Sequence, residues 1–109
     1  MTDKRFNEVA IHRIDECLNI LCKKADEYAT EDRLHNFKVA AELQKCTPIT
    51  ALGGMMCKHT VSVYDLIRDH EAGKDIPIDL WYEKIGDSIN YLLLLTALIA
   101  EDTDKKGRK

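Results

Sequence analysis

The sequence predicts an all-α protein, and three observations carry that prediction. Apolar residues recur with alternating three- and four-residue spacing along most of the chain, which is the period of an amphipathic helix. The 109 residues include only 5 Gly and 2 Pro, too few for the many turns of a β-sandwich or barrel. No segment carries the period-two alternation of a strand. We therefore predict one domain, a four-helix bundle with long, short, long and long helices.

The first two helices are predicted from the N-terminal third of the chain. One long helix covers residues 3–29, and a short connector follows in which Thr30 or Asp32 can cap the next helix. The second helix runs from about residue 34 to 45 and is short enough to depend on tertiary packing. The apolar stripe of the first helix is Ile11, Ile14, Leu18, Leu21, Ala25 and Tyr28, and that of the second is Leu34, Phe37, Ala40 and Ala41.

The third helix has the clearest boundaries. Thr47 followed by Pro48 is a helix start, and Gly73 is a C′ residue that ends the helix near residue 72. Two kinds of explanation for the internal pair Gly53-Gly54 stay open: a structural one, which is close approach of another helix or a kink, and a backbone cleared for a ligand. The apolar stripe is Ile49, Leu52, Met56, His59, Val63 and Leu66.

The fourth helix is the most apolar part of the chain. Asp79 is its predicted cap, and it covers residues 80–101, with 73–79 as the preceding loop. Its ten-residue run 91–100 is about half the length that spans a bilayer, so we predict burial in the bundle or in a subunit interface. Residues 1–104 form the predicted domain, and 105–109 a basic, disordered tail. The predicted core residues are Ile85, Ile89, Leu92, Leu93 and Ile99.

Charge and cysteine usage narrow the class of protein. The formal net charge of −3 argues against a general nucleic-acid binder, which needs a basic face for phosphates. The first ten residues contain no apolar stretch of the signal-peptide type, and the cysteines form no Cys-x2-Cys pair. We therefore expect a cytoplasmic protein with reduced cysteines and without a membrane segment.

Polar residues precede the most apolar run of the fourth helix. Glu83, Asp87 and Asn90 are spaced i, i+4, i+7 and share one helix face. Two carboxylates and an amide suit Mg²⁺ or Mn²⁺, although an ordinary solvated face explains the same spacing. On the third helix, Lys58 is the first residue of a second set spaced i, i+4, i+7. Contact with a phosphate and an ordinary exposed ion pair explain this set equally well. His59 lies on the apolar stripe, where a histidine is more often a core or interface residue than a ligand.

Three segments carry a resemblance to a known group: KKADEYATEDRLHNF (23–37), MCKHTVSVYDLIRD (56–69) and EKIGDSINYLLLLTALI (83–99). They are similar to small phage and prophage helical proteins of the all-α nucleoside-triphosphate pyrophosphatase superfamily, the MazG-like and dimeric dUTPase-like group. The resemblance implies a homo-oligomer whose nucleotide site lies between helices. It also implies Mg²⁺-dependent cleavage between the α- and β-phosphates, in the host cytoplasm if the chain is phage-encoded.

The resemblance assigns roles residue by residue. Asp87 matches the aspartate of the superfamily's fourth-helix Glu-x-x-Asp, whereas position 84 is Lys84 and Glu83 stands one residue too early. The superfamily's Glu-Glu-x-x-Glu on an earlier helix is replaced by the loose substitutes Asp26-Glu27 and 31–32. The implied metal ligands are Asp26, Glu27, Glu83 and Asp87, the last two also catalytic. The implied nucleotide contacts are Tyr28, Arg33, Asn36, Phe37, Lys58 and Asn90.

Three functional hypotheses follow. The first is a metal-dependent nucleoside-triphosphate pyrophosphohydrolase-like protein. The second is a protein that binds a nucleotide, for example a signalling nucleotide, without cleaving it, because half of the superfamily's metal ligands are replaced. The third is a helical interaction module whose 91–100 surface binds a partner.

Overall fold

In a computed structural model, the protein is described over residues 1–27 and 32–107, with the backbone alone for 24–27. All regular elements in these ranges are α-helices, as predicted: α1 Asp3–Glu27, α2 His35–Gln44, α3 Pro48–Glu71 and α4 Ile78–Lys105. The helix α3 packs against both α2 and α4, and α1 packs against α4. The helix α4 is therefore shared by two helix pairs, and polar residues on it can face either side.

The predicted boundaries of α3 are confirmed. The backbone N–H of Thr50 donates to the Thr47 hydroxyl at 3.1 Å, which makes Thr47 the N-cap. After the C-cap residue Ala72, Gly73 has a φ of 87°, the left-handed conformation that glycine adopts most easily. Local chemistry at both ends therefore sets the length of this helix.

The predicted boundaries of α4 are wrong at the N-terminus. Pro77 is the N-cap, and its carbonyl accepts from the backbone N–H groups of Leu80 and Trp81, so that Asp79 lies within the first turn instead of capping it. At the other end α4 continues through Lys105. Among the described residues no helix is long and apolar enough to cross a membrane.

The core lies where α2, α3 and α4 meet. Leu34, Phe37, Leu52 and Leu98 are buried together. Three of these four residues come from the predicted apolar stripes of α2 and α3. Two further residues of those stripes, Ala41 and Leu66, are buried as well. Partly buried side chains that surround this cluster are Ile49, Met55, Met56, Tyr91, Leu94 and Leu95.

The predicted stripes of α1 and α4 do not form the core of the single chain. Ile11, Ile14 and Leu18 are 62%, 44% and 44% exposed, because α1 turns a different face toward α4. Leu92 and Ile99 of α4 are 53% and 48% exposed. Both apolar faces are only partly covered within the described part of one chain, so the predicted core residues Leu92 and Ile99 do not belong to its core.

The contact between α1 and α4 is built on Arg13 and Cys17. The Arg13 guanidinium carbon lies 4.2 Å from the centre of the Tyr82 ring, and its Nη1 pairs with Glu16. A Cβ at Gly86 would lie 3.6 Å from the buried Cys17 Sγ, so the two helices approach closely at this glycine. Burial raises the pKa of the Cys17 thiol.

The Gly53-Gly54 pair makes no close contact with the described part of the same chain. A Cβ at Gly53 or Gly54 would meet none of the described heavy atoms within 4 Å. Among the described helices of one chain, a neighbouring helix comes near a glycine at Gly86 instead.

A three-residue ion cluster ties the start of α2 to the end of α4. Lys38 Nζ lies 2.6 Å from Asp32 Oδ2 and 2.8 Å from Glu101 Oε1. Hydrogen bonds from Lys38 hold the pKa of both carboxyl groups below their ordinary values, and the bond to Asp32 raises the pKa of Lys38. Asp32 Oδ1 also accepts from the backbone N–H of Leu34 at 2.9 Å, just before α2. Of the two predicted capping residues, Thr30 lies outside the described residues.

Candidate functional site

A cavity of about 340 Å³ lies between the C-terminal half of α1, the start of α2, and the middle of α3 and α4. This volume is within the range of small-molecule sites. Five of the predicted nucleotide or metal contacts border it. The bordering residues are Leu21, Arg33, Asn36, Phe37, Met55, His59, Asp87, Asn90, Tyr91 and Leu94.

One wall of this cavity is aromatic. The Tyr91 ring lies 4.5 Å from the His59 ring, centre to centre, at an interplanar angle of 36°. Phe37 meets the same tyrosine edge to face at 6.2 Å. Three helices each supply one ring, so the wall is fixed by the packing of the core. Such a surface suits a planar apolar group such as a nucleobase.

Two polar residues of α4 border the same cavity as the aromatic wall. Asp87 Oδ2 lies 3.6 Å from His59 Nδ1, at ion-pair distance, and both side chains are partly buried. Asn90 is 7% exposed, and its Oδ1 has no hydrogen-bond partner among the described residues. A buried acceptor without a donor is unusual in native proteins. The cavity is thus bordered by a carboxylate and by an asparagine whose amide oxygen is buried.

The mouth of the cavity is formed by the segment that leads into α2. Arg33 and Asn36 are exposed there, and Arg33 Nη2 donates to the backbone carbonyl of Leu21 at 3.5 Å. A guanidinium at an entrance suits an anion, because it presents several N–H donors in one plane. The cavity is therefore lined by buried aromatic rings at its inner end and by an exposed cationic side chain at its mouth.

Glu83 does not border the aromatic cavity of about 340 Å³. Its side chain is 62% exposed and lies 3.8 Å from Lys84 Nζ. It borders a smaller cavity of about 260 Å³ between α1 and the first half of α4, where Arg13 also lies. Asp87 and Asn90 border both cavities. The three residues of the i, i+4, i+7 set therefore meet at the smaller cavity, and two of them also border the aromatic one.

Other predicted residues lie away from the cavity or outside the described residues. Lys58 is exposed and borders neither cavity, and its carbonyl accepts from the Ser62 hydroxyl at 3.0 Å. Asp26 and Glu27 belong to the last turn of α1, but their side chains lie outside the described part of the chain. Tyr28 lies outside it entirely.

The described side chains bring together only part of the predicted metal-ligand set. Within the described side chains, no group of three His, Cys, Asp or Glu residues is placed to hold a metal ion. The carboxylate of Asp87 is an oxygen donor that fits Mg²⁺, which often takes one or two protein carboxylates and completes its shell with phosphate oxygens and water. The donor set therefore suits a metal carried by a phosphate ligand.

Two residues of the aromatic wall were not predicted as site residues. His59 was assigned to the core or an interface because it lies on the apolar stripe of α3, and Tyr91 was assigned to the apolar run of α4. The signal for Tyr91 is its i, i+4 spacing from Asp87, which puts both on one face of α4. His59 carries no comparable signal, because only the packing of α3 on α4 brings it to Asp87.

No protein-family model matches the chain, and neither a curated protein nor a solved structure shows a significant similarity to it.

Proposed function

We propose that this chain is a nucleotide-binding protein of the MazG-like type, with its ligand in the 340 Å³ cavity. The observation that carries the proposal is the combination of an aromatic wall, an exposed guanidinium and a carboxylate in one cavity. Rings suit the base, Arg33 suits the phosphates, and Asp87 suits a metal ion that the phosphates carry. The resemblance of segments 23–37, 56–69 and 83–99 to the all-α pyrophosphatases supports the same class of ligand.

We further propose that the nucleotide brings Mg²⁺ to Asp87 and is cleaved between its α- and β-phosphates. When bound, the ion supplies charge neutralisation and activation of a water. Asp87 would hold it, with Asp26, Glu27 and Glu83 as the remaining candidates implied by the resemblance. The role of the chain's own residues is to orient the substrate, with Arg33 balancing phosphate charge at the mouth.

A second candidate is binding without cleavage, and the position of Glu83 favours it. Its carboxylate is largely exposed, pairs with Lys84 and borders the smaller cavity. Only Asp87 of the two predicted catalytic carboxylates borders the aromatic cavity. A chain that binds a nucleotide at the rings without the paired carboxylates would sequester it.

The test combines binding with product analysis. Purified protein is titrated with nucleoside mono-, di- and triphosphates, with and without Mg²⁺, and the midpoint of thermal unfolding is measured. A ligand at ~100 times its Kd stabilises by about 2.7 kcal/mol, which raises the midpoint by several degrees. Stabilisation with pyrophosphate release supports the hydrolase, and stabilisation with unchanged ligand supports sequestration. No stabilisation by any nucleotide contradicts both.

We also propose that the chain forms a homo-oligomer. The exposed apolar stripe of α1 and the exposed Leu92 and Ile99 of α4 support this, because each is a helical face of large apolar side chains that is costly to leave in water. A second copy presents the same faces and can cover both. The resemblance implies a dimer or tetramer.

A further inference from the structure

We infer that Lys38 is a positioning residue for the proposed phosphate contact: by bridging Asp32 and Glu101, it fixes the turn that carries Arg33 relative to α4. The inference rests on the proposed function, since it concerns how the mouth of the cavity is held for the phosphates. It goes further by assigning a role in nucleotide binding to a residue that does not border the ring-lined cavity.

The turn around Arg33 is organised by its neighbour Asp32. Asp32 Oδ1 accepts from the backbone N–H of Leu34 at 2.9 Å, and the Asp32 carbonyl accepts from the backbone N–H of His35 at 3.1 Å. Arg33 lies inside both hydrogen-bonded rings, so its backbone conformation follows the orientation of Asp32. A change in that orientation moves the guanidinium at the mouth of the cavity.

A single ammonium group connects this turn to α4. Lys38 Nζ lies 2.6 Å from Asp32 Oδ2 and 2.8 Å from Glu101 Oε1. The carboxylate of Asp32 is therefore held at both of its oxygens, by Lys38 on one and by the backbone N–H of Leu34 on the other. Contacts between ionised groups are shorter and stronger than neutral hydrogen bonds. The turn, the first half of α2 and the end of α4 thus share one ionic contact.

The bridge attaches α2 to α4 at a point far from the aromatic wall. Phe37 meets the ring of Tyr91, which precedes Glu101 by ten residues, or about 15 Å along the axis of α4. Attachment at separated points fixes the direction of α2 more tightly than the ring contact alone. Because Asp87 and Tyr91 belong to α4, the bridge also fixes the distance of Arg33 from these groups of the cavity.

Positioning and simple electrostatics predict opposite results for a substitution of Asp32. The carboxylate is next in sequence to the proposed phosphate contact, so removal of its charge alone favours the binding of an anion. If the bridge positions Arg33, the same removal breaks the bridge and weakens binding. Asp32→Asn separates the two effects, because the amide keeps an oxygen that can accept from the N–H of Leu34.

The test is the affinity for the best-binding nucleotide among ATP, GTP, CTP and UTP, measured by calorimetry with Mg²⁺ at one ionic strength. We expect Asp32→Asn and Lys38→Met each to weaken binding by about threefold or more. In Arg33→Ala no guanidinium remains to be positioned, so the addition of Asp32→Asn has no further effect. A merely structural role of Asp32 would give the same loss in both backgrounds.

The matched control is Lys105→Met. It removes a cation that lies 3.5 Å from the same Glu101 carboxylate oxygen, and it leaves the contact between Lys38 and Asp32 in place. We expect its affinity to stay within about twofold of wild type.

Four results overturn the inference. Unchanged or tighter binding by Asp32→Asn or Lys38→Met shows that the bridge does not hold the phosphate contact. Full affinity in Arg33→Ala shows that this side chain makes no such contact, and equal losses from Asp32→Asn with and without Arg33 show that the substitution acts elsewhere. Equal losses in Lys105→Met and Lys38→Met assign the effect to charge instead of the bridge. In all four a nucleotide still binds, so the proposed function stands; if none of the four nucleotides binds wild-type protein, both fail.

Discussion

His59 Nδ1 of α3 lies 3.6 Å from Asp87 Oδ2 of α4, across the contact that these two helices make in the core. The histidine also stacks on Tyr91, one turn beyond the aspartate. The pairing joins the charged part of the cavity to its aromatic wall. The contact is made by one carboxylate oxygen of Asp87, which leaves the other for a ligand or a metal ion.

The proposed contact between the Asp87 carboxylate and Mg²⁺ can be tested by substitution. Asp87→Asn keeps the shape of the side chain and removes its charge, so we expect nucleotide binding to lose its dependence on Mg²⁺ and to weaken by about tenfold or more. Calorimetry with and without Mg²⁺ measures both effects. The matched control is Asp102→Asn, which removes a carboxylate that pairs with Lys106 near the end of α4. An Mg²⁺ effect of wild-type size in Asp87→Asn excludes Asp87 as the metal contact.

The ring of Phe37 serves the core as well as the cavity wall. It is 6% exposed and contacts Tyr91, so Phe37→Ala leaves a void between α2 and α4 and costs about 3–5 kcal/mol of folding free energy. The comparison variant is Leu43→Ala, at a site 79% exposed on the same helix, which changes stability by less than about 0.5 kcal/mol. Urea denaturation of the two variants measures the difference. Similar losses at both sites would mean that α2 does not pack on the core as described.

The ion cluster of Asp32, Lys38 and Glu101 predicts a pH dependence. Its carboxyl groups have lowered pKa values, so their contribution is present above the ordinary values of 3.8 and 4.5 and is lost as the pH falls through the folded values. The raised pKa of Lys38 has the opposite sign: its contribution is present below the ordinary value of 10.5 and is lost as the pH rises above it. The stability difference between wild type and Lys38→Met is therefore largest between these limits. Unfolding curves from acid to alkaline pH test this, and a difference that is constant with pH contradicts it.

The four cysteines differ in accessibility, which gives a chemical test of the packing of α1. Cys17 is fully buried with a raised pKa, whereas Cys22 and Cys57 are exposed. We expect the two exposed thiols to react with a disulfide reagent within the mixing period and Cys17 to react only as the protein opens. In Cys17→Ala the slow phase disappears. A fast reaction of Cys17 in wild-type protein would show that α1 is not held against α4.

The exposed apolar face of α4 gives a test of self-association. Leu92→Lys places a charge on that face, where Leu92 is 53% exposed in the single chain, so the variant folds while its oligomer dissociates. Molar mass by light scattering after gel filtration is the measurement. Leu43→Lys on α2 is the control, because that leucine is even more exposed but lies outside the face. Wild-type protein with the mass of one chain, or an unchanged mass in Leu92→Lys, contradicts the proposed oligomer.

Elements defined by local chemistry were predictable from sequence. The helix α3 begins at a Thr-Pro pair and ends before a glycine with positive φ, so its bounds depend on neighbours in the chain. The start of α4 was missed by two residues because a capping side chain at Asp79 was expected, whereas the Pro77 carbonyl accepts the first N–H groups.

Features that depend on which helices meet were less predictable. The spacing of Ile11, Ile14 and Leu18 is that of a buried stripe, yet α1 contacts α4 through Arg13 and Cys17 instead. Periodicity shows that a face is apolar and does not show which surface covers it. For the site, Asp87 and Asn90 followed from their spacing on α4, whereas His59 required the crossing of α3 and α4.

The central claim is that a nucleotide occupies the ring-lined cavity, and a crystal structure of the protein grown with its best-binding nucleotide and Mn²⁺ tests it most directly. We predict density for the base beside His59 and Tyr91, phosphates near Arg33, and an anomalous signal at Asp87. Ligand density elsewhere, for example beside Thr47 and Lys105 in the separate cavity at the start of α3, with the ring-lined cavity empty, would contradict the claim.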